Sequence, residues 1–135
     1  MSDDLRSTVE QVGRCFNSRD LDGLDAIVDE DLVNHAAGPQ GREGWKLVWQ
    51  SIVTCFPDAV ADTHAILIDG DQAAVHMTLR GTHRESAMPL LAGVPPTNNA
   101  IEWEFIHLFR LRDGKVVEHS AVRDDLGLLR QLGVA

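Results

Sequence analysis

The chain is short of cations, of cysteine and of long apolar runs, and each shortage narrows what it can be. Only 12 Lys and Arg stand against 21 Asp and Glu, a formal charge of −9. An acidic surface of this kind disfavours nucleic acid and anionic membrane as partners. The two cysteines, Cys15 and Cys55, fall on helix-like segments and match no metal or redox spacing, so they read as reduced structural thiols. No run approaches the roughly 18 apolar residues that a membrane span needs. The opening MSDDLRSTVE has no signal-peptide apolar core, and the expected location is the cytoplasm. There is also no nucleophile elbow, no phosphate-cradling glycine loop and no dinucleotide fingerprint.

What is present is an ordinary globular composition, 44% hydrophobic over 135 residues, which suits one domain spanning 1–135. Leu5, Val9, Val12 and Phe16 recur at helical spacing and predict a helix over residues 3–18. Asp20 can cap a second, shorter helix over 21–28, and 31–36 is a short extended piece carrying Asn34 and His35. A third helix is expected over 42–56, with Trp45, Val48, Trp49, Ile52, Val53 and Phe56 forming a wide apolar stripe. From Asp58 the period changes to two. Residues 59–68 and 72–83 read as strands joined at Asp69-Gly70-Asp71. Residues 86–100, with three prolines, are too apolar for a linker. Met88, Leu90, Leu91 and Val94 need cover, so the segment reads as a loop over a cavity mouth, with room for a helical turn. A last helix, capped by Asp124 or Asp125, ends at Gly133.

The most informative stretch is Ile101–Arg123, two alternating strands around Asp113-Gly114 with a histidine in each. A two-residue turn would set Arg110 against Val117 and Leu108 against His119. A three-residue loop, Asp113-Gly114-Lys115, would set Arg110 against Glu118 and Ile106 against Val122. The second register pairs cation with anion and apolar with apolar, and is preferred. It places Trp103, Phe105, His107 and Phe109 on one face with Val117, His119 and Ala121, an apolar wall with two imidazoles. The element order predicts an α+β fold: a curved antiparallel sheet covered by three N-terminal helices, with a C-terminal helix.

The chain carries, in this order, Gly81-Thr82-His83, Gly93-Val94-Pro95-Pro96-Thr97, Phe109-Arg110, Arg112-Asp113-Gly114-Lys115, Val117-Glu118-His119 and Leu126-Gly127-Leu128-Leu129. Together these pieces resemble the SnoaL-like polyketide cyclases, or ester cyclases, of the nuclear-transport-factor-2-like cone folds. Val33-Asn34-His35 and the Trp-bearing helix extend the likeness through the N-terminal half. The resemblance implies a cone-shaped sheet around a pocket, and a cofactor-free enzyme acting on an apolar polyketide-type ester or ketone. It also implies a homodimer through the outer sheet face. The family pattern continues after Glu-His with Trp and Asp, the Asp being the acid/base for aldol ring closure. Here those positions are Ser120 and Ala121. His107 sits where cyclising members place the histidine that partners the aspartate.

Proton abstraction beside a carbonyl needs a base near neutral pKa at hydrogen-bond range. His119, on the same face as Ala121, is the candidate base, and His107 the candidate donor to an enolate oxygen. His35 is a candidate third polar group of the cavity. His83 is a candidate gate at its mouth, where Leu90 belongs to the covering loop. Trp49, Met77, Trp103, Phe105 and Phe109 are candidates for gripping a planar ligand, with Ala121 beside it. His107, His119 and His35 lack metal-site spacing and a helping carboxylate, so no metal is expected. His64 and His76 receive no role. The enzymatic reading covers cyclisation, isomerisation, dehydration or hydroxylation. The competing reading is a binding protein for a small hydrophobic ligand, which the loss of a carboxylate at Ala121 favours.

Overall fold

The computed structural model describes residues 2–36 and 38–135. Helix α1 (Ser2–Ser18) forms where the apolar spacing predicts it and buries Val9, Val12, Cys15 and Phe16. The second predicted helix shortens to a 3₁₀ turn, Asp22–Ala26, whose start is tied by Gly23 N donating to Asp20 Oδ1 at 3.0 Å. The chain is already extended at β1 (Val28–Asn34), because β-branched Ile27 and Val28 favour strand over a further helical turn. Helix α2 (Gly41–Cys55) turns Trp45, Trp49, Ile52 and Cys55 inward. Strands β2 (Val60–Asp69), β3 (Gln72–Thr82), β4 (Ala100–Arg112) and β5 (Lys115–Arg123) follow, interrupted only by a 3₁₀ turn at Pro89–Leu91. Helix α3 (Asp125–Gln131) is capped by Asp124, whose carboxylate accepts from Gly127 N. Among the described residues no helix is long and apolar enough to cross a membrane.

The five strands lie in the order β1-β5-β4-β3-β2. All neighbours are antiparallel except β1, which runs parallel to β5, so the sheet is mixed. Helices α1 and α2 cover the inner face, and the core fills the space between. Along β4 the alternation is strict at the start: Ile101, Trp103 and Phe105 are buried while Glu102 and Glu104 are exposed. The outer face keeps a half-exposed apolar strip at Leu67, Ile106, Leu108 and Val122. Residues 86–100 do not cover a cavity mouth. Met88 and Leu91 plug into the core beside Cys55, whose Sγ accepts from Ala87 N at 3.2 Å.

The β4–β5 register pairs Arg110 with Glu118, Ile106 with Val122, Phe109 with His119 and His107 with Ala121. The expected pairing is present, but its cause differs from the expected three-residue loop. Arg112 pairs with Lys115, so Asp113-Gly114 is a two-residue turn, with φ of 53° and 77°. Both positive values fit the mirror-image turn whose twist matches that of a hairpin. A bulge that leaves Val117 unpaired then shifts the register by one residue. Open space surrounds Gly114, so a methyl group there would meet no neighbour and only the left-handed backbone would oppose it. Gly114→Ala should lower stability by about 1 kcal/mol in urea unfolding, with the hairpin register unchanged by NMR.

Candidate active site

Between α1, α2 and the inner faces of β2, β3 and β4 lies a cavity of about 410 Å³, within the range that holds a small organic ligand. Its walls are mostly apolar. Trp45 and Trp49 stand 4.9 Å apart between ring centroids, and Phe16 meets Trp49 edge-on at 5.2 Å. Met77, Phe105 and Phe109 rise from the sheet. Glu10, Arg14 and Asn17 of α1 supply polar groups at its edge. His107 is the one imidazole among the described lining residues. Its ring lies nearly parallel to Phe105 on one side, at 5.2 Å and 18°, and to Phe109 on the other, at 5.6 Å and 14°. A ring held between two others has little freedom to turn.

A hydrogen-bonded chain runs from the backbone to this ring. Asn34 Oδ1 accepts from Ala36 N at 3.1 Å, which marks it as the oxygen. His119 Nδ1 lies 2.9 Å from the same atom and must therefore donate to it. A neutral His119 then presents Nε2 as an acceptor, 2.9 Å from His107 Nδ1. His107 donates from Nδ1, and its Nε2 carries a lone pair without a hydrogen-bond partner among the described residues. Asn34 is itself clamped: its N–H donates to Gln40 Oε1 at 2.8 Å, and Gln40 Nε2 donates to its carbonyl at 2.7 Å. This is the geometry of a base whose tautomer is set by a second group and whose orientation is set by a third.

Burial holds both imidazoles neutral. His107 is lowered to about 4, by burial and then by the Arg123 charge. His119 is lowered to about 3, by burial and then by His107 and His35. Water is kept from His119 by Trp45, at 5.1 Å, and Phe109, at 5.2 Å.

Of the residues expected at the site, Trp49, Met77, Phe105, His107 and Phe109 line the cavity. His119 does not. It lies buried behind His107, so the cavity-facing base expected of it is not in the cavity wall. His35 points to solvent, 53% of its side chain exposed, with Nε2 3.1 Å from Glu118 Oε1. Strand alternation explains this: Leu32 and Asn34 take the inward positions, and His35 falls on the other side. His83 is no gate, being fully buried. Thr97 N donates to its Nδ1 at 3.2 Å, and its Nε2 lies 2.9 Å from Ser86 Oγ, so it fastens the 86–100 loop. Leu90 sits half-buried on that loop, away from the cavity. Trp103 is sealed in the core beside the cavity, where its Nε1 donates to Asp125 Oδ1 at 3.2 Å. Ala121 lies opposite His107 in the ladder but outside the cavity wall. Asn34, Gln40 and Trp45 had no assigned part in the site. The usable signal was the inward phase shared by Leu32 and Asn34.

The sequence profile of the SnoaL-like polyketide cyclases matches residues 6–132, and the chain belongs to that family. It is 29% identical over 123 residues to nogalonic acid methyl ester cyclase of Streptomyces nogalater, covering 87% of this chain and 89% of that protein. The solved structure of IdmH from Streptomyces antibioticus is 35% identical and superposes with a TM-score of 0.82, covering 96% of this chain and 99% of IdmH. TsrD from Streptomyces laurentii, 23% identical, shares the fold with a TM-score of 0.89, covering 100% of this chain and 98% of TsrD.

The two depressed imidazoles have a consequence for stability. Below about pH 6.5 the unfolded chain binds protons that the native rings refuse, so falling pH favours unfolding. The native state should weaken steadily from pH 6.5 towards 4, measured by denaturant midpoint. His107→Gln and His119→Gln should each remove part of that slope.

Proposed function

We propose that the protein is a cofactor-free acid/base enzyme acting on a hydrophobic polyketide-type carbonyl compound, with His107 as the base. The observation carrying this is the lone pair on His107 Nε2, fixed by the Asn34–His119–His107 chain in a ring that lines an aromatic cavity. In this reading Nε2, held unprotonated by burial, takes a proton from the carbon beside a carbonyl. The enolate charge that forms beside the ring raises its basicity from the resting value of about 4. The resulting enolate carbon bonds to a second carbonyl carbon of the same molecule, and the new alkoxide receives the proton back. Nothing is lost, and the product is an isomer of the substrate. His119 touches no substrate. It holds the tautomer and accepts the hydrogen bond that strengthens as His107 becomes cationic. The aromatic walls hold a flat molecule and exclude water.

The resemblance implies an acid/base carboxylate at position 121, where this chain carries Ala121, paired with His107 across the ladder. That replacement supports a second reading, a protein that binds a hydrophobic ligand without converting it. Nogalonic acid methyl ester, named in the relative's activity, is a suitable probe of both. The enzymatic reading expects wild-type protein to convert it to a ring-closed isomer of equal mass. His107→Gln should lower turnover at least tenfold with little change in affinity. Ala121→Asp, which places a carboxylate beside His107, should raise turnover. Tight binding with no conversion by either wild type or Ala121→Asp would transfer the protein to the binding reading.

A further inference from the structure

We infer that the outer face of the sheet carries a transition-metal site formed by His64, His76 and Glu104, separate from the cavity. The three residues come from neighbouring strands β2, β3 and β4. Their donor atoms all lie within 4.8 Å of one another. Thr63 faces inward with its partner Met77, so strand alternation carries His64 to the outer face opposite His76. A bulge then sets Ala65 against His76 as well. The His64 ring stands 4.9 Å from that of His76, centroid to centroid.

The donor set matches a definite class of ion. Two imidazoles and one carboxylate suit Zn²⁺, Ni²⁺, Co²⁺ or Cu²⁺ and leave open positions for water, whereas Mg²⁺ and Ca²⁺ prefer oxygen alone. The carboxylate is already oriented: Glu104 Oε2 lies 2.7 Å from His76 Nε2, and Glu104 Oε1 accepts from the buried Thr78 hydroxyl. The same hydroxyl lies 2.7 Å from His64 Nε2, so Thr78 gathers the second histidine towards the carboxylate. Such a partner behind the ligands is a usual feature of metal sites. Arg80, two residues beyond Thr78 on β3, is matched by Glu102 and by Asp62 at 3.5 Å, so its charge is largely compensated. An ion here would bind the two imidazole Nε2 atoms, each neutral ring carrying its proton on Nδ1, and would clip three strands together. It would therefore stabilise the native state by binding it in preference to the unfolded chain.

Calorimetric titration of the purified protein with Zn²⁺ at neutral pH tests the inference. One ion per chain should bind, and the thermal midpoint should rise. Mg²⁺ should give no effect. His64→Gln and His76→Gln should each weaken Zn²⁺ binding at least tenfold and abolish the thermal shift, and Glu104→Gln should weaken it independently. His35→Gln, remote and exposed beside Glu118, should change nothing. No binding by wild type, or binding that persists in both His64→Gln and His76→Gln, would overturn the site.

Discussion

The hydrogen-bonded line from Asn34 through His119 to His107 is the interaction on which the site depends, because it converts a backbone position into a chemical property. Three polar side chains meet beside an apolar cavity, and each leaves its partner only one compatible role. The oxygen of Asn34 requires a proton on His119 Nδ1, and that proton requires the other nitrogen to accept. The result is an imidazole in the cavity wall whose Nε2 is bare at neutral pH. Burial reinforces this, since an apolar setting opposes the cationic form of both rings. A half-satisfied network in such a place would cost more than an apolar core. The Gln40 clamp on the Asn34 backbone keeps the first member in place.

The fold serves this line through strand pairing. Parallel β1 brings Asn34 beside His119, 85 residues further along the chain, and antiparallel β4 brings His107 to the other side. Bulges adjust the two hairpins. The one at Val117 fixes which residues of β5 face β4, and the one at His64–Ala65 resets the phase of β2 so that Ile66 faces the cavity. The cavity lies where the apolar faces of α1 and α2 stop short of filling the space above β2–β4.

The sequence made some of this legible and hid the rest for identifiable reasons. Opposed charge and matched apolar pairs gave the β4–β5 register, since a one-residue slip would have turned every side chain over. The turn behind that register was misread because nothing in Lys115-Val116-Val117 announces a bulge. The aromatic wall followed from alternation. The role of Asn34 did not, because its partner is distant in sequence and a lone polar residue at a strand end resembles an ordinary turn residue. His35, its neighbour, drew attention as a chemically richer side chain, yet the pleat points it to solvent. The 86–100 segment was legible as needing cover, but not as being the cover of its own core, fastened by His83. His64 and His76 belong to different strands, and their meeting depends on the β2–β3 register, which spacing within either strand does not reveal.

The central claim concerns where two protons sit, and nitrogen-15 NMR of the imidazole rings observes them. Long-range proton–nitrogen correlation spectra should show His107 and His119 as neutral rings protonated at Nδ1, both persisting at pH 5.5. A proton on His107 Nε2, or titration of either ring near pH 6.5, would contradict the account.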